Sequence, residues 1–193
     1  MADDRHPGDE HDEDEPRLDP EVAARRAAAL THVRQFGDPV LKSRARRVER
    51  FDDELRAEIE RMGRIMSDSL GIGLAATQVG KLHRVLVYRV EPDSPIVPVL
   101  NPEIEWSGEE LEVFEEGCLS LEGVHVDVER PVFVRVRAQD ERGDPVTIEA
   151  SGLEARVLQH EIDHLDGVLI LDRTSREQRK EAMRILRQAE QAA

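Results

Sequence analysis

The clearest pattern in the chain is helical and runs from about Asp53 to Leu70, where apolar residues recur every third or fourth position. The residues that share this face are Leu55, Ile59, Met62, Ile65 and Met66. The pattern predicts an amphipathic helix in the N-terminal part of the fold. We expect it to end at Gly71, because two glycines separated by one residue interrupt regular structure there.

Three further helices are predicted from weaker signals. Residues 21–30 are rich in alanine and can form a short helix. A helix over about residues 153–165 carries apolar residues along its length, and Gly167 is its expected stop. A C-terminal helix is predicted near residues 174–193, because Thr174 and Glu177 match the capping box that begins many helices.

Short strands account for most of the middle of the chain. Pro, Gly and Asn residues separate apolar segments at 83–90, 97–100, 111–116 and 124–128. Alternating valines predict a strand at 131–138, and a turn at 140–144 leads to a strand at 145–150. Because the links are short, antiparallel pairing is expected. The predicted fold class is α+β, with short antiparallel β-sheets packed around a central helix at 153–165, an N-terminal amphipathic helix and a C-terminal helix.

Composition separates a tail from a single domain. Residues 1–20 hold nine acids against Arg5 and Arg17, together with three prolines, so they cannot bury enough apolar surface to fold. A chain of 193 residues is long enough for one sizeable core but short for two domains. We therefore predict a disordered acidic tail at 1–20, a folded domain at 21–173 and the C-terminal helix at 174–193.

Charge and cysteine content narrow the partners and the compartment. A formal net charge of −15 repels nucleic acid, so specific DNA binding is not expected. The apolar runs are too short to span a bilayer, and the N-terminus lacks a signal pattern, so neither membrane insertion nor export is expected. The single cysteine, Cys118, cannot form an internal disulfide, which favours a cytoplasmic location.

The strongest chemical signal is His160-Glu161-Ile162-Asp163-His164, which lies inside the predicted central helix. Histidines four residues apart lie on one helix face and can bind the same metal ion. Glu161 would then lie beside the ion, where a carboxylate can take a proton from water and pass it to a leaving group. The alternative is a surface helix with a chance pair of histidines.

A catalytic metal site usually has three protein ligands and one open position. No histidine or cysteine follows His164, so the third ligand must come from upstream. Cys118 is available, although a lone cysteine is more often a small core residue. The glycine- and alanine-rich stretch at 71–78 could offer its main chain to a peptide, or could be a plain turn between a helix and a strand.

Taken together, three stretches resemble the signature motifs of peptide deformylases. They are Gly71-Ile72-Gly73-Leu74-Ala75-Ala76-Thr77-Gln78, Glu116-Gly117-Cys118-Leu119-Ser120 and Gln159-His160-Glu161-Ile162-Asp163-His164, in the order found in that family. The resemblance extends over about residues 30–172. It implies a catalytic domain that hydrolyses the formyl group from the N-terminal formylmethionine of newly synthesised proteins and releases formate.

The resemblance also implies roles for individual residues. Cys118, His160 and His164 would bind one ferrous ion per chain, with zinc, nickel or cobalt as substitutes; ligand type alone would suggest zinc. Glu161 would move the proton, while the side-chain amide of Gln78 and the backbone N–H of Leu119 would stabilise the oxyanion. The substrate-binding residues would be Gly73 for the peptide main chain, Ile72, Glu116, Leu119 and Val157 around the methionine side chain, and Gly117, whose small size suits a narrow cleft.

The chain departs from the family pattern at three positions near the expected cleft. Glu122 stands where the family often has proline, and His125 stands near the place of an arginine in some members. Arg156 falls close to the methionine pocket, where we expect its stem to pack and its charged head to reach solvent.

Formylated nascent peptides are the expected partners, and the ribosome is a further one. The residues that could contact ribosomal RNA are the basic ones of the last helix, namely Arg176, Arg179, Lys180, Arg184 and Arg187. Two other functions stay open on the sequence. A zinc endopeptidase or other amidase could use the same ligands. A binding protein with a structural metal would need a closed site, which the presence of Glu161 and Gln78 argues against.

Overall fold

The structure, a computed structural model, describes residues 18–192, and within them it confirms the α+β class. The α-helices there are α1 (Pro20–Leu30), α2 (Asp53–Asp68), α3 (Gly152–Leu165) and α4 (Arg176–Ala192). The strands there are β1 (Gly73–Ala75), β2 (Val85–Tyr88), β3 (Val97–Ser107), β4 (Leu111–Gly117), β5 (His125–Pro131), β6 (Phe133–Gln139) and β7 (Pro145–Ser151). The predicted disordered tail falls mostly on residues 1–17, outside the described residues, and the predicted division of the chain stays a prediction.

The first two helices begin at capping aspartates. The Asp19 carboxylate accepts a hydrogen bond from the Glu21 N–H at 2.8 Å, and Pro20 opens α1. The Asp52 carboxylate accepts a hydrogen bond from the Leu55 N–H at 3.1 Å and so begins α2.

No helix within residues 18–192 is both long and apolar enough to cross a membrane.

All the strand pairs are antiparallel, as predicted from the short links. Five strands form one sheet in the order β1-β2-β3-β6-β7, and β4 pairs with β5 in a separate hairpin. β1 was not predicted, because three residues are too few to show an alternating pattern. It lies at one edge of the larger sheet, where its outer side is not paired with another strand of that sheet.

The larger sheet is covered on both faces by helices. Along β2, Val85 and Val87 pack in the cluster that includes the apolar face of α2, whereas Leu86 and Tyr88 pack in the cluster that includes α3. Successive side chains of a strand point to opposite faces, so a strand buried on both faces is apolar throughout, as β2 is. Helix α3 is therefore central, as predicted, and ten of its residues are buried.

Strand β3 extends well beyond the predicted end at residue 100. The sequence predicts a break between strands at Asn101 and Pro102, but Asn101 adopts a φ of 51° and the pairing with β6 shifts register there. The Asn101 side chain stabilises this conformation, because its Oδ1 accepts from Val48 N–H at 2.7 Å and its Nδ2 donates to Val48 O at 2.9 Å. The strand therefore bulges and continues.

The predicted capping box of the last helix is wrong by one residue. The Ser175 hydroxyl accepts from the Gln178 N–H at 3.2 Å at the start of α4, whereas the Thr174 hydroxyl donates to the Gln178 side chain at 2.7 Å. Ser and Thr cap helices by the same contact, and sequence spacing alone did not decide between adjacent candidates. Ala182 of α4 is buried in a third cluster with Val126 and Val128 of β5.

Candidate metal centre and active site

Three potential metal ligands converge where α3 meets the end of β4. His160 and His164 lie one turn apart on α3, and their Nε2 atoms are 3.2 Å apart. The Cys118 Sγ, just beyond β4, lies 3.3 Å from His164 Nε2. The three ligand atoms all lie within 4.8 Å of one another. The structure thus brings together the three residues predicted as ligands.

The donor set and its spacing suit a transition-metal ion. Metal distances of about 2.1 Å to nitrogen and 2.3 Å to sulfur place tetrahedral ligand atoms roughly 3.4 to 3.6 Å apart. The observed 3.2 and 3.3 Å separations are close to these values. One thiolate and two imidazoles leave a fourth position open, which is the arrangement of catalytic rather than structural sites.

Glu116 fixes the orientation of the first histidine. Its Oε2 lies 2.9 Å from His160 Nδ1, which turns His160 Nε2 toward the ligand cluster. Arg130 binds the same carboxylate with two hydrogen bonds, of 2.6 and 2.9 Å. Burial alone would raise the pKa of Glu116, but the bonds from His160 and Arg130 outweigh burial and hold that pKa well below its usual range. Glu116 is therefore a fixed anion behind the cluster.

A buried chain of charges extends from Glu116 to the far side of α3. Arg130 Nη1 donates to Asp163 Oδ2 at 2.9 Å, and Arg173 donates to both oxygens of Asp163. Asp163 lies between the two predicted ligands in sequence, so this network ties the helix to β5 and to the segment that precedes α4. The roles of Arg130 and Asp163 were missed by the sequence analysis.

Glu161 is buried beside the cluster. The residue is 4% exposed, and its Oε2 has no hydrogen-bond partner among residues 18–192. Burial raises the pKa of Glu161 to about 7, because the charged form loses its hydration. A carboxyl group with that pKa can both accept and donate a proton near neutral pH. A cation at the neighbouring cluster would lower the pKa of Glu161.

Two hydrogen-bond donors face the same space. Gln78 Oε1 accepts from the Ala75 N–H at 2.8 Å, so the Gln78 amide nitrogen points the other way, where it donates to Ser120 Oγ at 3.2 Å and lies 3.6 Å from Cys118 Sγ. The Thr77 hydroxyl donates to the His164 carbonyl at 3.1 Å and fastens this turn to α3. The backbone N–H of Leu119 has no acceptor among residues 18–192. Both predicted oxyanion donors thus lie next to the cluster, and their role stays a prediction.

A cleft of about 520 Å³ opens onto these groups. The predicted site residues that line it are Ile72, Gly73, Gln78, Glu116, Gly117, Cys118, Leu119, Val157, His160 and Glu161. His164 is 1% exposed and lies beneath the cleft surface. Three apolar side chains at the rim were not predicted, namely Leu70, Phe114 and Leu153, each at least half exposed. Exposed apolar side chains around a cleft are a sign of ligand binding. Their exposure is visible in the structure but not in the sequence.

Arg156 does not behave as the sequence analysis expected. Its head does not reach solvent, because the residue is 8% exposed and its guanidinium binds Glu116 and the carbonyls of Glu112 and Val128. The expectation failed because the partners come from two distant strands. His125 and Glu122, the other two departures, line the cleft mouth.

Gly73 is expected to tolerate no side chain. A methyl group there would overlap Glu161 Oε1 and lie 2.9 Å from its Cγ, so the buried carboxyl would have to move. Because a displacement of about 1 Å can cost about 100-fold in rate, Gly73→Ala should lower kcat by about that factor with metal content unchanged. Steady-state kinetics and metal analysis of G73A and the control Gly108→Ala would check this. An unchanged kcat in G73A would show that the contact does not hold Glu161 in place.

A cluster of three potential metal ligands beside a buried carboxyl group has the chemistry of a metal-dependent hydrolase. The family model described as polypeptide deformylase matches residues 30–180. The peptide deformylase of Picosynechococcus is 49% identical over 145 residues, which are 74% of this chain and 78% of that protein. That of Acidothermus cellulolyticus is 46% identical and covers 85% and 89% of the two chains. The chain belongs to the polypeptide deformylase family.

Solved structures agree with this membership. The crystal structure of the peptide deformylase from Thermotoga maritima is 49% identical, with a TM-score of 0.72 over 74% of this chain and 96% of that one. The enzyme from Synechococcus elongatus in complex with actinonin is 45% identical, with a TM-score of 0.76 over 78% and 84% of the chains. Helix α1 before residue 30 lies outside the family match.

Proposed function

We propose that this protein is a metal-dependent peptide deformylase, which hydrolyses the formyl group from the N-terminal formylmethionine of newly synthesised proteins and releases formate. The observation that carries the proposal is the Cys118, His160 and His164 cluster beside buried Glu161, in a chain of the polypeptide deformylase family. A cytoplasmic location, where new chains are made and a lone thiol stays reduced, is part of the proposal.

Cys118, His160 and His164 would hold the metal, which supplies Lewis acidity and an activated water at neutral pH when bound. Glu161 would take a proton from water and deliver it to the amine that leaves with the peptide. The Gln78 amide and the Leu119 N–H would donate hydrogen bonds to the oxygen that gains charge. Each such donor typically lowers the barrier by about 3 kcal/mol. The fixed amide orientation of Gln78 supports its part.

The cleft would place the substrate with its main chain along β1. That strand lies at the edge of the sheet, so Gly73 could pair with an extended peptide. Ile72, Glu116, Leu119 and Val157 would surround the methionine side chain, and all of them line the cleft. Gly117 would keep the cleft narrow, because the absence of a side chain lets the His125 ring come close. A methyl group there would lie 3.0 Å from that ring.

Ferrous iron is the proposed native metal, at one ion per chain. The resemblance to peptide deformylases supports iron, whereas a thiolate with two imidazoles is equally suited to zinc. Zinc, nickel and cobalt are therefore the expected substitutes. A ferrous ion held by a thiolate should lose activity in air, so a protein prepared with and without oxygen would distinguish iron from zinc.

Substrate competition tests the activity against an endopeptidase or another amidase. We expect release of formate from formyl-Met-Ala-Ser, with little hydrolysis of acetyl-Met-Ala-Ser and no internal cleavage of the unblocked peptide. A narrow cleft rejects the extra methyl group of acetyl, a difference of about 10-fold or more. Equal rates on the formyl and acetyl peptides, or cleavage between residues, would overturn the proposed reaction.

Docking at the ribosome through α4 is a further part of the proposal. Its basic residues Arg176, Arg179, Lys180, Arg184 and Arg187 are exposed, which supports contact with phosphates. Replacing Lys180 and Arg187 with Glu should reduce co-sedimentation with ribosomes at low salt, while the same change at Arg61 and Arg64 of α2 should not. Equal co-sedimentation of both double variants would dismiss the role of α4.

A further inference from the structure

Arg156 is a buried charge that joins three elements of the fold at the edge of the cleft. It lies on α3 one turn before His160, and its Nη1 donates to Glu116 Oε1 and to Val128 O, both at 2.9 Å. Its Nη2 donates to Glu112 O at 2.8 Å. One guanidinium thus fastens both strands of the β4–β5 hairpin to the helix that carries the two histidines.

The same guanidinium supports an aromatic wall of the cleft. It lies 5.6 Å from the centre of the Phe114 ring, within the range of a cation–π contact. Phe114 is on β4, lines the cleft and is 59% exposed, so few other contacts hold its ring in place. Leu153 and Val157, three residues before and one residue after Arg156 on α3, line the same cleft as this ring.

We propose that Arg156 is a specificity-determining residue, which holds the β4–β5 hairpin and the Phe114 ring at a fixed distance from α3 and so sets the width of the side-chain pocket. The inference rests on the proposed function, because it concerns which first residue the enzyme accepts. Arg156 acts through Phe114 and the hairpin and is a positioning residue.

The metal ligands should be little affected by loss of Arg156. Glu116 keeps both hydrogen bonds from Arg130 and its contact with His160 Nδ1 when Arg156 is replaced. Lysine would keep the positive charge, but a single nitrogen cannot bind Glu112 and Val128 in the planar arrangement that the guanidinium provides. Arg156→Lys therefore separates the charge from the bridging geometry.

The test compares formyl-Met-Ala-Ser with formyl-Phe-Ala-Ser, whose first side chain is bulkier. The ratio of interest is kcat/KM for the formyl-Met peptide divided by kcat/KM for the formyl-Phe peptide. We expect this ratio to fall about fivefold or more in R156K and R156M, mainly through KM, because the lost contacts of the buried guanidinium no longer fix the pocket width. Metal content should stay at the wild-type level. Arg135→Lys, an exposed arginine on β6, is the matched control and should leave the ratio unchanged.

A second pair of variants keeps the test decisive if Arg156 variants fold poorly. Phe114→Ala removes only an exposed ring and should lower the same ratio, whereas Val113→Ala on the other side of β4 should not. In the double variant R156M/F114A, the two effects should be less than additive. A wild-type ratio in folded R156K or in F114A, or strict additivity, would overturn the inference. No formate from the unaltered protein would instead refute the proposed function.

Discussion

Glu161→Gln is expected to lower kcat by about three orders of magnitude while the protein keeps its metal. Glutamine has almost the same size and fills the same buried space, but it cannot take a proton from water or return one to the leaving amine. Positioned acid–base groups contribute about 10²- to 10⁴-fold to rate, and Glu161 is the buried carboxyl beside the ligand cluster. Formate release and metal content should be measured on the same samples.

Glu154→Gln is the matched control for this experiment. Glu154 lies on the same helix, outside the cleft, and accepts a hydrogen bond from the Tyr88 hydroxyl at 2.7 Å, which glutamine can also accept. Its kcat should be close to that of the unaltered protein. A rate in E161Q within a few-fold of the unaltered rate would remove Glu161 from the proton-transfer role.

Cys118→Ala is expected to cause the second large loss, through the metal rather than the proton. Replacing a residue that only hydrogen-bonds to a metal ligand typically lowers metal affinity about 10- to 100-fold. Loss of a ligand itself should therefore lower it about 100-fold or more. Turnover should fall in proportion to the bound metal. The fold should persist, because Cys118 is only half-buried at the end of β4.

Cys118→Ser provides a graded comparison. An oxygen ligand in place of sulfur should shift selection away from the softer metals. Competition for a chromogenic chelator would rank the affinities of the unaltered protein, C118S and C118A. Equal metal affinity in all three would show that Cys118 is not a ligand.

The part of the site that lies on a single helix could be predicted from the sequence. His160, Glu161 and His164 are close in sequence, and helical geometry alone places both imidazoles on one face. Cys118 differs, because its approach to the histidines depends on the β4–β5 hairpin folding against α3. The sequence alone makes Cys118 a candidate ligand. The family resemblance singles it out, and the structure shows it beside the two histidines.

The buried arginines show why the rest of the site was not predicted. Arg130 occupies an inward position of β5, in phase with buried Val126 and Val128, and this alternation is visible in the sequence. A charge at such a position is buried only when it has a partner, and Glu116 is on another strand. Arg156 needed the same partner. Contacts of this kind depend on tertiary structure and are not visible in local patterns.

The strands show a related limit. The alternating β6 was predicted close to its observed bounds, since each valine points inward and each neighbour outward. β3 was predicted short, because the bulge at Asn101 depends on hydrogen bonds with Val48, more than fifty residues earlier. Side-chain support from a distant loop turned an apparent stop into a continuous strand.

The central claim, that Cys118, His160 and His164 hold a metal on which deformylation depends, is tested most directly by one measurement. Formate release from formyl-Met-Ala-Ser should be followed in anaerobically prepared protein, with bound metal quantified in the same sample before and after chelation. We predict rapid release with about one ion per chain, loss of release with loss of metal, and recovery when ferrous ion is added back. Undiminished release from metal-free protein, or no release from folded protein loaded with iron, would contradict the account.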